Sequence, residues 1–214
     1  MARLVVIDHG AANIHSVVKA LEYVGARPLV TSETSELARA DGAVLPGVGT
    51  SDAALRKLDY LGLTKQIREF GRSGRPLFGI CLGMQLLFPN SEEGELEGIS
   101  LIDGTVIRLP NDQCGSPIKV PHMGWNRVEF CHRDGQRHPA LVDLPNGSHL
   151  YFVHSYYCVP VDKTLTVATT TYGLKFSAVI AKGEILGTQF HPEKSGDMGV
   201  TIYENFVKHV GNLA

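Results

Sequence analysis

Two short segments, far apart in the chain, carry the residue types that nucleophilic catalysis requires. Cys81 stands in the segment GICLG, and His191 and Glu193 stand in the segment TQFHPEK. In such a set the thiolate attacks a carbonyl carbon, the imidazole moves protons, and the carboxylate orients the imidazole. If the fold brings the three side chains together, they can perform acyl transfer through a covalent thioester.

Cys81 is expected in a tight turn between a buried strand and a helix. The segment RPLFGI before it has the pattern of a strand and LGMQLLF after it that of a helix, and open parallel sheets place their chemistry at the carboxyl ends of strands. Gly79 and Gly83 are small enough for the sharp bend of a nucleophile elbow. A helix N-terminus and a nearby imidazolium both favour a thiolate. The alternative is a small buried cysteine that fills a gap behind the helix.

His191 and Glu193 are expected to share one face of the chain. His191 precedes a proline, which biases it toward an extended backbone, and side chains two apart on an extended segment point the same way. One imidazole nitrogen would then bind the carboxylate while the other faces Cys81. The alternative is a turn with solvated charges.

Backbone N–H groups that stabilise a tetrahedral oxyanion are expected at two places. Leu82 follows the nucleophile, the position that supplies one donor in an elbow. The segment LPGVG ends the preceding strand, and Gly47 and Gly49 let its backbone turn the amides inward on either side of Val48. The same four residues, PGVG, are also compatible with an ordinary turn.

The elements that must position these residues follow an α/β pattern. In the first half, strand-like runs alternate with helical runs, which predicts a parallel sheet flanked by helices. From Ile99 onward, short alternating runs predict antiparallel strands added to that core, with a hairpin turn at Lys182-Gly183. A last helix is expected from about Met198 to Val210, with one apolar face. The runs, in chain order, are LVVI, PLVTS, SELARA, GAVLPG, DAALRKLDYLGLTKQIREF, RPLFGI, LGMQLLF, GISLIDGTVIRL, NRVEF, HLYFVHSYYCVP, LTVATTTYG and FSAVIAKGEILGTQF.

The composition excludes several classes of function. The chain has 214 residues, 43% of them hydrophobic, which predicts one core and a single domain over residues 1–214. Lys and Arg number 20 against 22 Asp and Glu, and no basic run occurs, so neither nucleic acid nor a membrane surface is an expected partner. The apolar runs are shorter than the roughly 18 residues of a membrane span and than a signal sequence requires. The expected location is the cytoplasm.

The cysteines are expected to be free thiols, because no two lie in a C-x-x-C pair and no signal sequence directs them to an oxidising compartment. They are Cys81, Cys114, Cys131 and Cys158. A zinc site around Cys131 would have a spacing that matches no established ligand pattern. It would have to use His122, His132 and His138. Neither a metal nor another cofactor is expected.

Taken together, these segments closely resemble class I glutamine amidotransferases that use a Cys-His-Glu triad. The resemblance runs essentially end to end, since PGVG, GICLGMQLL, SEEGELEGI, VPHMGWN, YFVHSYY and GTQFHPEKS occur in the family's order. It implies the family's flavodoxin-like α/β fold, with a parallel core, antiparallel additions and flanking helices. Within the family, PHMGWN and FVHSY resemble the glutaminase subunits of imidazole glycerol phosphate synthases.

The resemblance implies that the chain hydrolyses glutamine to glutamate and ammonia. Cys81 would attack the side-chain amide, His191 would protonate the leaving ammonia, and Glu193 would orient His191. Gly47, Val48 and Gly49 match the family's oxyanion strand. The remaining matches are substrate contacts, namely Gln85 and the backbone of Ser155 and Tyr156. The alternative for Gln85 is a helix residue that faces solvent.

The resemblance also implies a partner. In that group the ammonia passes to a cyclase subunit, a TIM barrel, in histidine biosynthesis. Asn13, Met123, Trp125 and Lys194 match the surface that faces it; tryptophan is a common interface hot spot, although a lone tryptophan is also common in cores. The family usually has DYGxGN after its first strand. This chain departs from that motif at His9 and Ala12, in a loop that lies near the partner in similar proteins.

Other functions stay open at this stage. The chain could serve another ammonia-using synthase, or it could be a binding module with a vestigial site. The intact set of Cys81, His191 and Glu193 argues against the second. A cysteine peptidase is a further alternative, but nothing in the sequence suggests an extended peptide groove.

Overall fold

The computed structural model describes residues 2–10, 13–113, 115–131 and 137–214. In these ranges the helices are α1 (Ile14–Tyr23), α2 (Thr34–Ala38), α3 (Ser51–Tyr60), α4 (Leu63–Arg72), α5 (Leu82–Gln85) and α6 (Gly196–Leu213). The strands are β1 (Leu4–Ile7), β2 (Leu29–Thr31), β3 (Gly42–Leu45), β4 (Leu77–Ile80), β5 (Asn90–Ser91), β6 (Gly104–Arg108), β7 (Asp112–Gln113), β8 (Ser116–Pro117), β9 (His122–Phe130), β10 (Ser148–His154), β11 (Tyr156–Pro160), β12 (Thr166–Tyr172), β13 (Leu174–Lys182) and β14 (Ile185–Thr188). Short 3₁₀ turns cover Pro139–Leu141, Lys163–Leu165 and Pro192–Lys194.

The main sheet has a parallel half and an antiparallel half. Its strand order is β10-β9-β12-β13-β14-β4-β3-β1-β2. The pairs from β2 to β14 through β1, β3 and β4 are parallel, and those from β14 through β13, β12 and β9 to β10 are antiparallel. The predicted parallel core with antiparallel additions is therefore confirmed.

Alternation along the strands builds a core on each face of this sheet. Leu4 and Val6 of β1 join one cluster of buried side chains, whereas Val5 and Ile7 join the other, because successive strand residues point to opposite faces. Helices α1 and α6 pack on the first cluster, and α3 and α4 pack on the second. The expected helices on both faces are present. Along the described ranges, no helix is both long enough and apolar enough to cross a bilayer.

The last helix agrees with the predicted apolar face but is longer than expected. Ile202, Phe206 and Val210 are buried, with 2% exposure or less. The helix extends over Gly196–Leu213, so the sequence placed its apolar stripe correctly and its ends too far inward.

Three other expectations were wrong. The run LGMQLLF forms only the one-turn helix α5, because the N–H groups of Leu87 and Phe88 donate three residues back, to Met84 and Gln85, and Pro89 has no N–H to continue the helix. The run GISLIDGTVIRL contributes a strand only over Gly104–Arg108, because the N–H groups of Leu101 and Ile102 donate to the carbonyl of Leu87 instead of to a neighbouring strand. The third concerns HLYFVHSYYCVP, whose second strand, β11, leaves the main sheet after Ser155 and pairs with β6 in a second sheet.

Candidate active site

Cys81 lies in the expected tight turn between β4 and α5. Its φ is 53° and its ψ is −109°, a conformation that L-residues adopt only when the surrounding structure holds them. The Cys81 N–H donates to the carbonyl of Thr188 over 2.7 Å. A methyl group on Gly83 would lie 1.9 Å from the carbonyl oxygen of Leu45, and one on Gly79 would lie 2.9 Å from the carbonyl oxygen of Gly83. Both glycines are therefore required by close backbone approach.

His191 and Glu193 form a buried pair. His191 Nδ1 lies 2.8 Å from Glu193 Oε1, and each side chain is 2% exposed. His191 itself is extended, with φ −100° and ψ 100°, but Pro192–Lys194 is a 3₁₀ turn. The predicted contact is present, while the predicted reason for it was wrong: the side chains meet across a turn and not along an extended segment.

The second imidazole nitrogen is left for Cys81. His191 Nε2 is buried and has no hydrogen-bond partner within the described part of the chain, and His191 and Cys81 line the same cavity. Burial by itself lowers the pKa of His191. Its interactions with Cys81 and then with Glu193 outweigh burial and raise the pKa to about 10. The imidazolium is consequently the stable form beside the sulfur at neutral pH.

The cavity in front of Cys81 has a volume of about 360 Å³, a size that suits a small polar ligand. A larger cavity of about 590 Å³ lies beside Leu4, at the start of β1, but its described walls contain no cysteine, histidine or serine. Because Cys81 and His191 both line the 360 Å³ cavity, it is the candidate active site. Its walls are Val48, Gly49, Cys81, Leu82, Gln85, Glu93, Pro121, Val153, His154, Ser155, Tyr156 and His191.

The expected oxyanion residues meet at this cavity. Gly47 presses on the elbow so closely that a methyl group there would lie 2.5 Å from the backbone nitrogen of Gly83. Val48, Gly49 and Leu82 line the cavity wall. Gly49 has a φ of 93°, a value that favours glycine. The loop is thus fixed against the elbow at Gly47 and reaches the cavity beyond it.

Gln85 faces the cavity with its amide orientation already set. Its Nε2 donates to the carbonyl of Tyr156 over 2.9 Å and to Oε1 of Gln189 over 3.1 Å. Both N–H groups are engaged, so its carbonyl oxygen is the atom left to accept from a ligand. Gln189 Nε2 in turn donates to the sulfur of Cys81 over 3.7 Å. The solvent-facing alternative for Gln85 is wrong.

Two other side chains at the site had no role in the sequence-based expectations. Glu93 lines the cavity and accepts from the N–H of Ser51 over 2.8 Å; burial raises the pKa of its carboxyl, against the lowering effect of the Ser51 bonds. Tyr203 is fully buried in α6, and its hydroxyl donates to Glu193 Oε2 over 3.5 Å. Glu93 lies in the matched segment SEEGELEGI, which could have signalled it, whereas nothing local distinguishes Tyr203 from a core residue.

A buried histidine pair supports the cavity wall. His122 Nδ1 and His154 Nε2 lie 2.9 Å apart, and His154 Nδ1 lies 2.8 Å from the carbonyl of Tyr156. Burial lowers the pKa of His122 to about 4 and that of His154 to about 3. Both rings are therefore neutral at pH 7. Each can donate once, which makes His122 the donor to His154, and His154 the donor to Tyr156.

The expected interface residues lie on the surface. Met123 and Trp125 of β9 are 63% and 56% exposed, so the core alternative for the tryptophan is wrong. Trp125 meets the ring of Tyr151 on β10 with 6.1 Å between centroids, and Lys194 Nζ lies 5.8 Å from the centre of the same ring. Asn13 precedes α1, a helix that packs against the turn that contains Lys194.

His9, which replaces the tyrosine of the family's DYGxGN motif, contacts the PGVG loop. His9 is fully buried, and its Nε2 lies 3.0 Å from the carbonyl of Pro46, at the start of the PGVG loop. The other departure, Ala12, is outside the described residues, as are Cys114 and His132. His122 is the first residue of β9, and Cys131 follows its last residue, so the two lie at opposite ends of this strand. Nowhere in the described ranges do three metal-ligating side chains cluster.

Comparison with known proteins agrees with this geometry. Residues 5–210 match the family described as glutamine amidotransferase class-I. A protein of Methanosarcina barkeri named imidazole glycerol phosphate synthase subunit HisH is 46% identical over 210 residues, which cover 97% of this chain and 98% of the relative. The protein of the same name from Microcystis aeruginosa is 45% identical over 215 residues, with 100% and 99% coverage.

Solved structures share the fold at lower identity. One described as the structure of PurLQS from Thermotoga maritima superposes with a TM-score of 0.73 at 18% identity, over 98% of this chain and 99% of that one. Another, described as a glutamine amidotransferase, gives a TM-score of 0.73 at 18% identity, over 97% and 98%. The chain belongs to the class I glutamine amidotransferase family and, within it, to the group of the imidazole glycerol phosphate synthase HisH subunits.

Proposed function

We propose that the chain is the glutaminase subunit of an imidazole glycerol phosphate synthase. It hydrolyses glutamine to glutamate and ammonia with Cys81, His191 and Glu193, and it passes the ammonia to a cyclase subunit. The observation that carries the chemistry is that Cys81 and His191 line one 360 Å³ cavity while Glu193 is paired with the other nitrogen of His191. The near full-length relatives named as subunits of that synthase support the assignment of the pathway.

The first half of the reaction forms a thioester. The sulfur of Cys81 attacks the side-chain amide carbon of glutamine, and the carbonyl electrons move onto oxygen, which the amides of Leu82 and the Gly47–Gly49 loop stabilise. The carbon–nitrogen bond then breaks as the imidazolium of His191 gives its proton to the departing nitrogen. Ammonia leaves, and Glu193 keeps the imidazole oriented throughout.

The second half releases glutamate. His191, now neutral, takes a proton from water, and the resulting hydroxide adds to the thioester carbon. The carbon–sulfur bond breaks, so that Cys81 leaves as thiolate, and His191 again carries a proton. No metal or cofactor takes part in this cycle, and the enzyme returns to its starting protonation state.

The amino-acid head of glutamine is proposed to bind to other residues of the same cavity wall. Gln85 offers a free carbonyl oxygen and Glu93 a carboxylate, and both can accept from the α-ammonium group of glutamine. The backbone of Ser155 and Tyr156 would hold the α-carboxylate. Glu93 was not one of the substrate contacts expected from the sequence. Its position in the cavity wall supports adding it to them.

The partner is proposed to be the TIM-barrel cyclase, bound as a heterodimer against the exposed face formed by Asn13, Met123, Trp125 and Lys194. We also propose a cytoplasmic location, the one expected for an enzyme of histidine biosynthesis. A single glutaminase domain over residues 1–214 stays a prediction. Neither nucleic acid nor a membrane is expected to bind.

Glutamate release from glutamine tests the chemistry. Cys81→Ala should lower the rate by about 10⁴-fold or more, because loss of a nucleophile removes the covalent route. Cys131→Ala is the matched control, since Cys131 is a free, partly exposed thiol outside the cavity. Undiminished hydrolysis in Cys81→Ala would refute the proposal.

Addition of the cyclase subunit and its nucleotide ligand tests the partner. Strong stimulation of glutamate release, with Cys81→Ala as the blank, would support both the chemistry and the pathway. Equal rates with and without the cyclase would leave a glutaminase for another ammonia-using synthase. A thiol-reactive glutamine analogue that failed to label Cys81 even in the complex would favour a vestigial site.

A further inference from the structure

Ser195 occupies a capping position without capping its helix. It is the residue before α6, and its side chain makes no capping hydrogen bond. A serine at this position usually accepts from an N–H of the first helical turn, which stabilises the helix. Ser195 is also 2% exposed, so its hydroxyl must form hydrogen bonds with other buried groups.

The hydroxyl of Ser195 instead links His191 to Tyr151. It donates to the carbonyl of His191 over 2.7 Å and accepts from the N–H of Tyr151 over 3.0 Å. The N–H of His191 donates to the carbonyl of Tyr151 over 2.9 Å. Both backbone polar groups of His191 are therefore tied, directly or through one hydroxyl, to the same residue of the edge strand β10.

These hydrogen bonds are needed because His191 lies outside the strands of the sheet. The chain there leaves β14 at Thr188 and turns at Pro192–Lys194, so no neighbouring strand fixes the residue by a regular ladder. The Nε2 atom must nevertheless stay aligned with the sulfur of Cys81. Small displacements of a catalytic side chain cost large factors in rate.

We propose that Ser195 is a positioning residue. By linking the backbone of His191 to that of Tyr151, a link called the clamp below, its hydroxyl keeps the imidazole of His191 aligned with the sulfur of Cys81. The ring of Tyr151 contacts Trp125 and Lys194 on the exposed face. The clamp accordingly joins that face to the catalytic imidazole, and a partner that shifts Tyr151 shifts His191. This last step rests on the proposed function, whereas the positioning role does not.

Three substitutions separate the clamp from a capping role. Ser195→Ala removes the hydroxyl and is a poor cap, Ser195→Gly removes the hydroxyl but remains acceptable at a helix start, and Ser195→Thr keeps a hydroxyl. Ser148→Ala is the matched control, because Ser148 is a buried serine of β10 whose hydroxyl bonds to the carbonyl of Pro145 and not to the His191 segment.

Two measurements are made on each variant of the full chain. One is the rate at which iodoacetamide alkylates Cys81 as a function of pH, with the labelled residue identified by mass spectrometry. The other is kcat and KM for glutamine, alone and with the cyclase subunit. Thermal unfolding is followed in parallel. Alkylation reports the alignment of His191 with Cys81 even if glutamine is not the substrate, so failure of the clamp and failure of the proposed function remain distinguishable.

The expected result is a common defect in Ser195→Ala and Ser195→Gly. Alkylation at pH 7 and kcat should both fall by about tenfold, an effect typical of a displaced catalytic group. The decline of kcat at alkaline pH should begin at lower pH, because a displaced His191 loses the contacts that raise its pKa, and KM should stay within about twofold. Ser195→Thr and Ser148→Ala should resemble the parent chain.

Two outcomes would overturn the proposal. If the alanine and glycine variants keep the parental alkylation profile and kcat, the hydroxyl is dispensable, whatever happens to the melting temperature. If only the alanine variant is impaired and the glycine variant is normal, the role of Ser195 is helix capping.

Discussion

The carboxylate of Glu193 accepts from Nδ1 of His191 across 2.8 Å, and both side chains are almost completely buried. The hydroxyl of Tyr203 reaches the other carboxylate oxygen at 3.5 Å. This pair leaves Nε2 of His191 pointing at the cavity, and together with Cys81 it keeps the imidazole protonated. The same contact has measurable consequences for pH dependence.

Glu193→Gln should flatten the alkaline part of the stability profile. The pKa of His191 is raised to about 10, above its usual 6.5 in an unfolded chain. The native state thus holds a proton that the unfolded state has released, so this stabilisation is complete below about pH 6.5 and is lost as the pH rises toward 10. The melting temperature of the parent chain should fall more steeply over this window than that of the variant.

Glutamine hydrolysis by Glu193→Gln should also fall, by about 10²-fold or more, because the imidazole loses its orienting partner. Glu129→Gln is the control, since Glu129 is 44% exposed and pairs with Arg127 on the surface. Parallel melting curves for Glu193→Gln and the parent across pH 6.5 to 10 would contradict the pKa assigned to His191.

Gly83→Ala should disrupt the elbow. The added methyl group would lie 1.9 Å from the carbonyl oxygen of Leu45, and backbone on both sides leaves little room to relax, so a loss of about 1–3 kcal/mol in unfolding free energy is expected. Activity should fall with it, because Cys81 is displaced. Calorimetry and glutamate release measure the two effects.

Gly211→Ala is the matched control for that prediction. Gly211 lies in α6 with nothing within 4 Å of the added methyl group. Alanine is favoured over glycine in a helix by about 0.5–1 kcal/mol, so this variant should be as stable as the parent or more stable. Equal destabilisation by both substitutions would show that close approach at Gly83 is not the cause.

Gln85→Glu should raise KM for glutamine by about tenfold, because the hydrogen bond between Gln85 and the bound glutamine is lost. The change in kcat should be smaller. A carboxylate cannot donate, so it would face the carbonyl of Tyr156 and Oε1 of Gln189 without a hydrogen bond. Initial rates over a range of glutamine concentrations separate the two constants. Gln66→Glu, on the partly exposed part of α4, is the control, and an unchanged KM in Gln85→Glu would argue against substrate contact.

His122→Asn should make the fold less sensitive to acid. The pKa of His122 is lowered to about 4, so between about pH 6.5 and 4 the unfolded chain binds a proton that the native chain excludes. Stability is therefore complete above pH 6.5 and declines as the pH falls through this window. The melting temperature of the variant should decline less, whereas His149→Asn, at an exposed position of β10, should follow the parent. A parental slope in His122→Asn would count against this burial effect.

Trp125→Ala should weaken binding of the cyclase subunit by about tenfold or more, which corresponds to about 1.4 kcal/mol. Trp125 is 56% exposed and packs beside Tyr151, so the partner would bury a large aromatic surface. Titration calorimetry measures the affinity. Tyr60→Ala, an 83% exposed aromatic of α3, is the control, and equal affinities of the two variants would exclude this face as the interface.

The sequence alone determined the order of most of the longer strands and helices and the main chemical groups. Buried strands such as β1 have local apolar runs, and the helix face at Ile202, Phe206 and Val210 has a regular period, so both are visible without a structure. The glycines around Cys81 signalled a tight turn for a steric reason that the structure confirms. Local patterns could not show that GISLIDGTVIRL begins outside a strand, because the N–H groups of Leu101 and Ile102 donate to the carbonyl of Leu87, a residue remote in the sequence.

Only the tertiary structure decided which groups meet. The bond between Tyr151 and Ser195 spans 44 residues, and that between Gln189 and Cys81 spans 108; no local period encodes such separations. Glu93 reaches the cavity and Tyr203 reaches Glu193 for the same reason. The residues that perform chemistry were readable from their types and spacing, whereas the residues that hold them became visible only once the sheet brought remote segments together.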